Sequence, residues 1–188
     1  MSNNNNQIDQ VSLFQRVFGD EVNELGTIPS VDKRKLRLKL IFEELSELAE
    51  AYGLDKYFTD YCKEYFDNKD CMFDDPVDTH KYNPTEALDA ICDLLVVVYG
   101  GACINGHSSI INEAFDETMR SNMSKSCKTL DQALYTIAQY HKEGRDTYYR
   151  VVDNLYIIYD STTNKILKNK DEKEGFFTPD YNSLLNGE

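Results

Sequence analysis

The 188-residue chain has no CxxC pair, no run of basic residues that offsets its acidity and no uninterrupted apolar stretch of the roughly 20 residues that a membrane-crossing helix needs. Each absence excludes something. The five cysteines, Cys62, Cys71, Cys92, Cys103 and Cys127, are odd in number and scattered, so they read as reduced thiols and not as a disulfide framework. The three histidines, His80, His107 and His141, are also scattered, and a zinc centre is not expected. Twenty Lys+Arg stand against 33 Asp+Glu, a formal net charge of −13. Such a surface repels the phosphate backbone of DNA or RNA, so a nucleic acid polymer is not the expected partner. The opening MSNNNNQIDQ has neither a basic start nor an apolar segment, so no secretory signal is expected there. These points describe a cytoplasmic protein without a membrane partner.

Helical periodicity dominates the first three quarters of the chain. A polar tail at 1–7 precedes an amphipathic helix expected from Val11 to Val22, then a loop GTIPS. The longest pattern runs from about Val31 to Tyr52: Leu38, Ile41, Leu45, Leu48 and Tyr52 recur at intervals of three and four, and Gly53 supplies a stop. The aromatic, acidic stretch 54–82 predicts a short helix around Tyr57–Phe66 and a loop containing Asp74, Asp75 and Pro76. Next, Asn83 is suited to cap a helix whose first position is Pro84 and whose capping carboxylate is Glu86. The residues from there to about Asn105 are almost all apolar, which predicts a buried helix. Ser108 or Ser109 is expected to cap a fourth helix running towards Lys125, and Thr129 with Gln132 a fifth ending near Lys142.

After Gly144 the period shortens to two. Tyr148–Val152, Leu155–Tyr159 and Lys165–Leu167 read as strands joined by turns at Asp153-Asn154 and Ser161–Asn164. The expected fold is therefore mainly α: a four-to-five-helix bundle over residues 8–125, followed by an extension over 126–188 that adds a helix and a small antiparallel β meander.

Two helices carry acids where core-building alone would not put them. In the string EELSE, Glu43, Glu44 and Glu47 sit on the shoulder of an apolar stripe; at about 100° per residue, Glu44 lies some 40° from Leu48. On the later helix Asp89 and Asp93 are four apart and share a face of an otherwise oily segment with no nearby Lys or Arg. Aspartate is a poor mid-helix residue, and a buried carboxylate must protonate or find a cation. The two patches are expected to meet across the bundle and hold a divalent ion. Oxygen-only donors favour Mg²⁺, with Mn²⁺ as the alternative, and open positions on such an ion suit phosphoryl or nucleotidyl transfer to water.

These residues resemble the all-α nucleoside triphosphate pyrophosphohydrolases, the MazG-like superfamily that includes dimeric dUTPases and phosphoribosyl-ATP pyrophosphohydrolase. LRLKLIFEELSELAEAYG (residues 36–53) is similar to the family's EExxE helix, ALDAICDLLVVVYGGACINGH (87–107) to its ExxD helix, and EAFDETMRSNMSK (113–125) to the helix that follows in one branch. The resemblance covers roughly residues 10–125. Ala90 departs from it, standing where the family has Glu when Asp93 takes the family Asp; Asp89 then supplies the missing oxygen. The resemblance implies Mg²⁺-dependent hydrolysis of a nucleoside triphosphate to monophosphate and pyrophosphate, serving nucleotide-pool sanitation or balance. It implies Glu44, Glu47, Asp89 and Asp93 as metal holders with Glu86 as an outer or alternative ligand, Glu43 as the residue that activates or positions water, and a homodimer or larger homo-oligomer. Arg120, Asn122 and Lys125 are the candidates for phosphate or base. Tyr148, Tyr149, Tyr156 and Tyr159 offer stacking faces. Two other readings stand beside this one: a narrower phosphoribosyl-ATP or dUTP/dCTP hydrolase, and a non-catalytic helical interaction module whose site has decayed, which Ala90 favours.

Overall fold

The computed structural model describes residues 7–25, 27–68 and 82–186. The polar tail before Gln7, the loop with Asp74, Asp75 and Pro76, and the side chains of Cys71 and His80 lie outside the described residues. The fold is mainly α, with a small two-stranded antiparallel sheet near the C-terminus.

Among the described residues the elements are α1 (Gln7–Val17), α2 (Val31–Ala51), α3 (Asp55–Asn68), α4 (Pro84–Ile104), α5 (Ile111–Met123), α6 (Leu130–Lys142), β1 (Thr147–Val152), β2 (Leu155–Asp160) and α7 (Asn182–Asn186). Helix α1 starts earlier than expected because Gln7 has tertiary partners: its amide donates to Asn112 Oδ1 at 3.0 Å and its carbonyl accepts the Tyr99 hydroxyl at 2.7 Å. It ends at Val17, five residues short of Val22, and the chain then turns through Gly19 at φ +82°, a conformation that suits glycine. Local start signals held elsewhere. Ser30 Oγ accepts the Lys33 amide at the start of α2, and Asn83 Oδ1 accepts the amides of Thr85 and Glu86 at the start of α4. Thr129 Oγ1 accepts Gln132 N at 3.2 Å, while the Gln132 side chain reaches back to Lys128 N at 2.8 Å. Neither Ser108 nor Ser109 caps α5; its N-cap is Ile110, which makes no side-chain cap bond, and the helix stops at Met123, before Lys125.

The chain groups into two compact units, residues 24–94 and residues 1–23 with 95–188. This grouping runs across the 125/126 division expected from the sequence, because α1 lies along α5 and because Cys127 exchanges backbone hydrogen bonds with Tyr156 of β2. In the larger unit the turn Asp153-Asn154 has both residues at positive φ, as a two-residue hairpin of the primed type demands, and sets the register Val152 opposite Leu155. The third strand of the expected meander does not form: Ile166 makes only an isolated bridge to Tyr159. The core sits on β2. Ile158 joins Cys127, Ala133, Tyr140 and Leu167 on one face, and Ile157 joins Val17 and Tyr159 on the other, so the strand is covered on both sides.

In the smaller unit α2 packs on α3, with the Phe42 and Phe58 rings 5.7 Å apart between centroids. Gly53, at φ +66°, ends α2 and lets the chain turn into α3.

Candidate functional site

Helix α2 presents its acids to solvent. Glu43, Glu44 and Glu47 are all exposed, and Glu43 Oε1 lies 3.5 Å from Lys39 Nζ one turn earlier. Phe42 and the buried Ala49 face α3, so the stripe Leu38, Ile41, Leu45, Leu48 is left uncovered, with Leu38 70% exposed. Glu50 borders an open groove of about 830 Å³ between α2 and α3, together with Ser46, Asp55 and Cys62.

Helix α4 differs from the expectation of a buried helix. Glu86, Asp89 and Asp93 are exposed, and so are the apolar residues around them, from Leu88 to Val97 at 72%. The reason is that apolarity all round predicts burial only where neighbouring layers exist, and among the described residues no element packs on α4 as closely as α3 packs on α2. By length and mean hydropathy α4 is the one described helix that could cross a membrane, although its acids interrupt the apolar run. Since its carboxylates are solvated, the cost of burying them is not what selects a cation in the single chain.

The expected metal holders are thus brought together only in part. Glu43, Glu44 and Glu47 share one turn and a half of α2, and Glu86, Asp89 and Asp93 two turns of α4. The two sets do not assemble: α2 and α4 share no packing comparable with that of α2 on α3, and among the described residues no group of three or more His, Cys, Asp or Glu could hold a metal ion.

The expected cations are engaged elsewhere. Arg120 grips Glu117 through both Nε and a terminal nitrogen, at 2.7 and 2.8 Å, and its guanidinium lies 4.2 Å from the Phe177 ring centre. The Asp180 amide, with help from Arg120, holds the Glu117 carboxyl below the ordinary glutamate range. Lys125 donates to Asn122 Oδ1 at 2.7 Å; partial burial, reinforced by Lys168, lowers its pKa. Arg120, Asn122 and Lys125 therefore fasten the end of α5, and Arg120 ties it to the C-terminal segment. Nor are the tyrosines open stacking faces: Tyr148 stacks on Tyr159 with centroids 5.3 Å apart, and Tyr149 meets Tyr156 edge-on. Burial pushes the Cys127 thiol up to about 11, which leaves it an inert core group, as the reduced-thiol reading expects.

Sequence reasoning missed two features. One is a cavity of about 350 Å³ beside α5 and α7, lined by Ile111, Phe115, Thr118, Tyr181, Leu184 and Leu185; its signal is the apolar face of α5 and the late Leu-Leu pair. The other is a buried polar knot. Thr136 Oγ1 donates to Asn169 Oδ1 and accepts Lys170 N, while Asn169 Nδ2 donates to the Ser126 carbonyl. A Thr inside an apolar helix face was the available sign.

No family model matches the chain, and no solved structure matches it. The chain is similar to an uncharacterized protein of Acanthamoeba polyphaga mimivirus, 27% identical over an alignment of 241 residues that takes in 93% of this chain and 94% of that protein.

Proposed function

We propose that the chain is a Mg²⁺-dependent nucleoside triphosphate pyrophosphohydrolase whose site is completed when copies of the chain pair. The observation that carries this reading is that α2 and α4 each set acids beside an apolar surface that one copy leaves uncovered. Uncovered apolar helix faces of this size associate, and association is the step that can bring the two acidic sets together. Glu44, Glu47, Asp89 and Asp93 would be the holders, with Glu86 at the periphery; their all-oxygen donor set suits Mg²⁺. One copy alone does not supply that set, so a homodimer is part of the proposal. When bound, the ion neutralises phosphate charge and orients the triphosphate. Glu43 positions the attacking water and takes its proton as the oxygen bonds to the α-phosphorus and the bond to the pyrophosphate leaving group breaks.

Pyrophosphate release from a panel of ribo- and deoxynucleoside triphosphates tests this. Wild type is expected to release pyrophosphate with Mg²⁺, and Glu47→Gln or Asp93→Asn to lower the rate at least about 100-fold; orthophosphate as the product refutes the assigned bond cleavage. One strongly preferred base in the panel selects the narrower phosphoribosyl-ATP or dUTP/dCTP class. A second reading, the non-catalytic interaction module, draws on Ala90 and on the solvated state of the acids. It expects no nucleotide turnover while self-association persists.

A further inference from the structure

Helix α5 and the C-terminal segment run alongside one another, and polar contacts hold them together over only part of that course. Ser121 Oγ donates to the Phe177 carbonyl at 2.7 Å, Glu117 Oε1 accepts the Asp180 amide at 3.0 Å, and the Thr118 and Tyr181 hydroxyls lie 2.8 Å apart. As the segment advances from Phe177 to Tyr181, its partners move from Ser121 back to Thr118. Beyond Tyr181, among the described residues, no hydrogen bond joins α7 to α5. The two helices enclose instead the cavity of about 350 Å³, a size within the range of small-molecule sites. Its floor is the stripe Ile110, Ile111, Ala114, Phe115, Thr118, which recurs at three and four over about 12 Å of helix. Ala114 makes the room, a methyl group between the larger Ile111 and Phe115. Leu184 and Leu185 form the roof; Leu185 is 57% exposed, so it lines the space without filling it. The Thr118 and Tyr181 hydroxyls are spent on each other at one end. That leaves His107, half-buried at the other end, as the lining side chain whose polar group has no partner among the described residues.

We propose that this cavity binds a medium-chain acyl compound, its hydrocarbon tail running along α5 towards Thr118 and its acyl oxygen accepting a hydrogen bond from the His107 imidazole. The lining selects this class. A nucleobase or a sugar carries several donors and acceptors that aliphatic walls leave unpaired, at a cost to binding. A ligand of hydrocarbon alone makes no use of His107. An acyl chain has the one polar end and the one long apolar body that the cavity offers, and the floor accommodates about eight to ten carbons. The site shares no residue with the acids of α2 and α4, so it stands or falls independently of the proposed hydrolysis.

Calorimetric titration of the full chain with decanoate and with decanoylglycerol, each below its micelle concentration, tests the proposal. Binding of either supports the site, and the tighter of the two tells a free acid from an esterified chain as its natural form; binding of neither overturns it. The same titration with butanoate, hexanoate, octanoate, dodecanoate and tetradecanoate, or with their glycerol esters, needs no variant. Affinity is expected to rise about fourfold with each methylene up to ten carbons, as apolar burial dictates, and then to level off where the chain overruns the floor. Affinity that keeps climbing by the same factor through tetradecanoate marks unspecific adsorption and overturns the site. Ala114→Phe fills the middle of the floor and is expected to weaken binding of the ten-carbon chain at least about tenfold. His107→Leu is expected to weaken it about three- to tenfold while leaving the gain per methylene as in wild type. Unchanged affinity in either variant overturns the pose. Should Ala114→Phe lose the wild-type circular dichroism, the wild-type chain-length series decides by itself.

Discussion

The region from α5 to the C-terminus and the pair α2 and α4 use apolar side chains in opposite ways. Around β2 the apolar residues find one another: Ile157 and Ile158 are fully buried, each in its own cluster, and the Thr136–Asn169 knot satisfies the polar groups buried with them. On α2 and α4 the same kinds of residue are left exposed along much of each helix, and acids stand beside them. The first region is complete in one copy; the second has the composition of a core and the exposure of a surface. This difference separates residues that hold the chain together from residues that one copy leaves in solvent.

The largest expected effect sharpens that contrast. Ile158→Ala should cost about 3–4 kcal/mol in urea unfolding at any protein concentration, since it opens a cavity in a closed core. Ile91→Ala on α4 should cost less, about 0.5–1 kcal/mol at high dilution, because Ile91 is already 54% exposed, and more as concentration rises if copies cover it. Equal costs at every concentration for the two variants would erase the contrast. A smaller effect is expected of Thr136→Val, about 1–3 kcal/mol, since it leaves Asn169 Oδ1 and the Lys170 amide short of a partner inside the core.

Acid provides the mildest test. Asp160 Oδ1 accepts the amides of Thr163 and Thr162 and the Thr163 hydroxyl, and the Thr163 amide leads in lowering its pKa; the Asp180 amide leads in lowering that of Glu117. A depressed carboxyl pKa stabilises the folded chain fully above the ordinary range and progressively less as pH falls through the folded value. Both contributions should therefore be present above pH 4.5, the ordinary value for Glu117, and fade below it and below 3.8, the ordinary value for Asp160. Glu117→Gln, followed by circular dichroism across that range, should flatten part of the pH dependence; an unchanged acid limb would contradict the assignment.

What the sequence allowed one to read follows the range of the forces involved. Asn83, Thr129 and the Asp153-Asn154 turn act over two or three residues, and each was legible. The early start of α1 depends on Tyr99 and Asn112, about a hundred residues away, and leaves no local trace, whereas the cavity beside α7 shows locally only as the Leu184-Leu185 pair that lines it. The third strand failed because Lys165–Leu167 had a single bridge to offer β2. For the site, EELSE and the Asp89/Asp93 pair were legible as acids beside apolar stripes, but whether they meet depends on which surfaces cover α2 and α4. Arg120 looked like a phosphate ligand because the sequence does not reveal that Glu117 and Phe177 already occupy it.

The most direct test of the central claim, that the acids of α2 and α4 converge on one ion, is calorimetric titration of Mn²⁺ into wild type, Glu47→Gln and Asp93→Asn, each first shown to keep its wild-type circular dichroism. The account predicts that wild type binds the ion and that either single substitution abolishes the same binding event. Loss with only one of the two substitutions, or wild type that binds no ion at all, would contradict it.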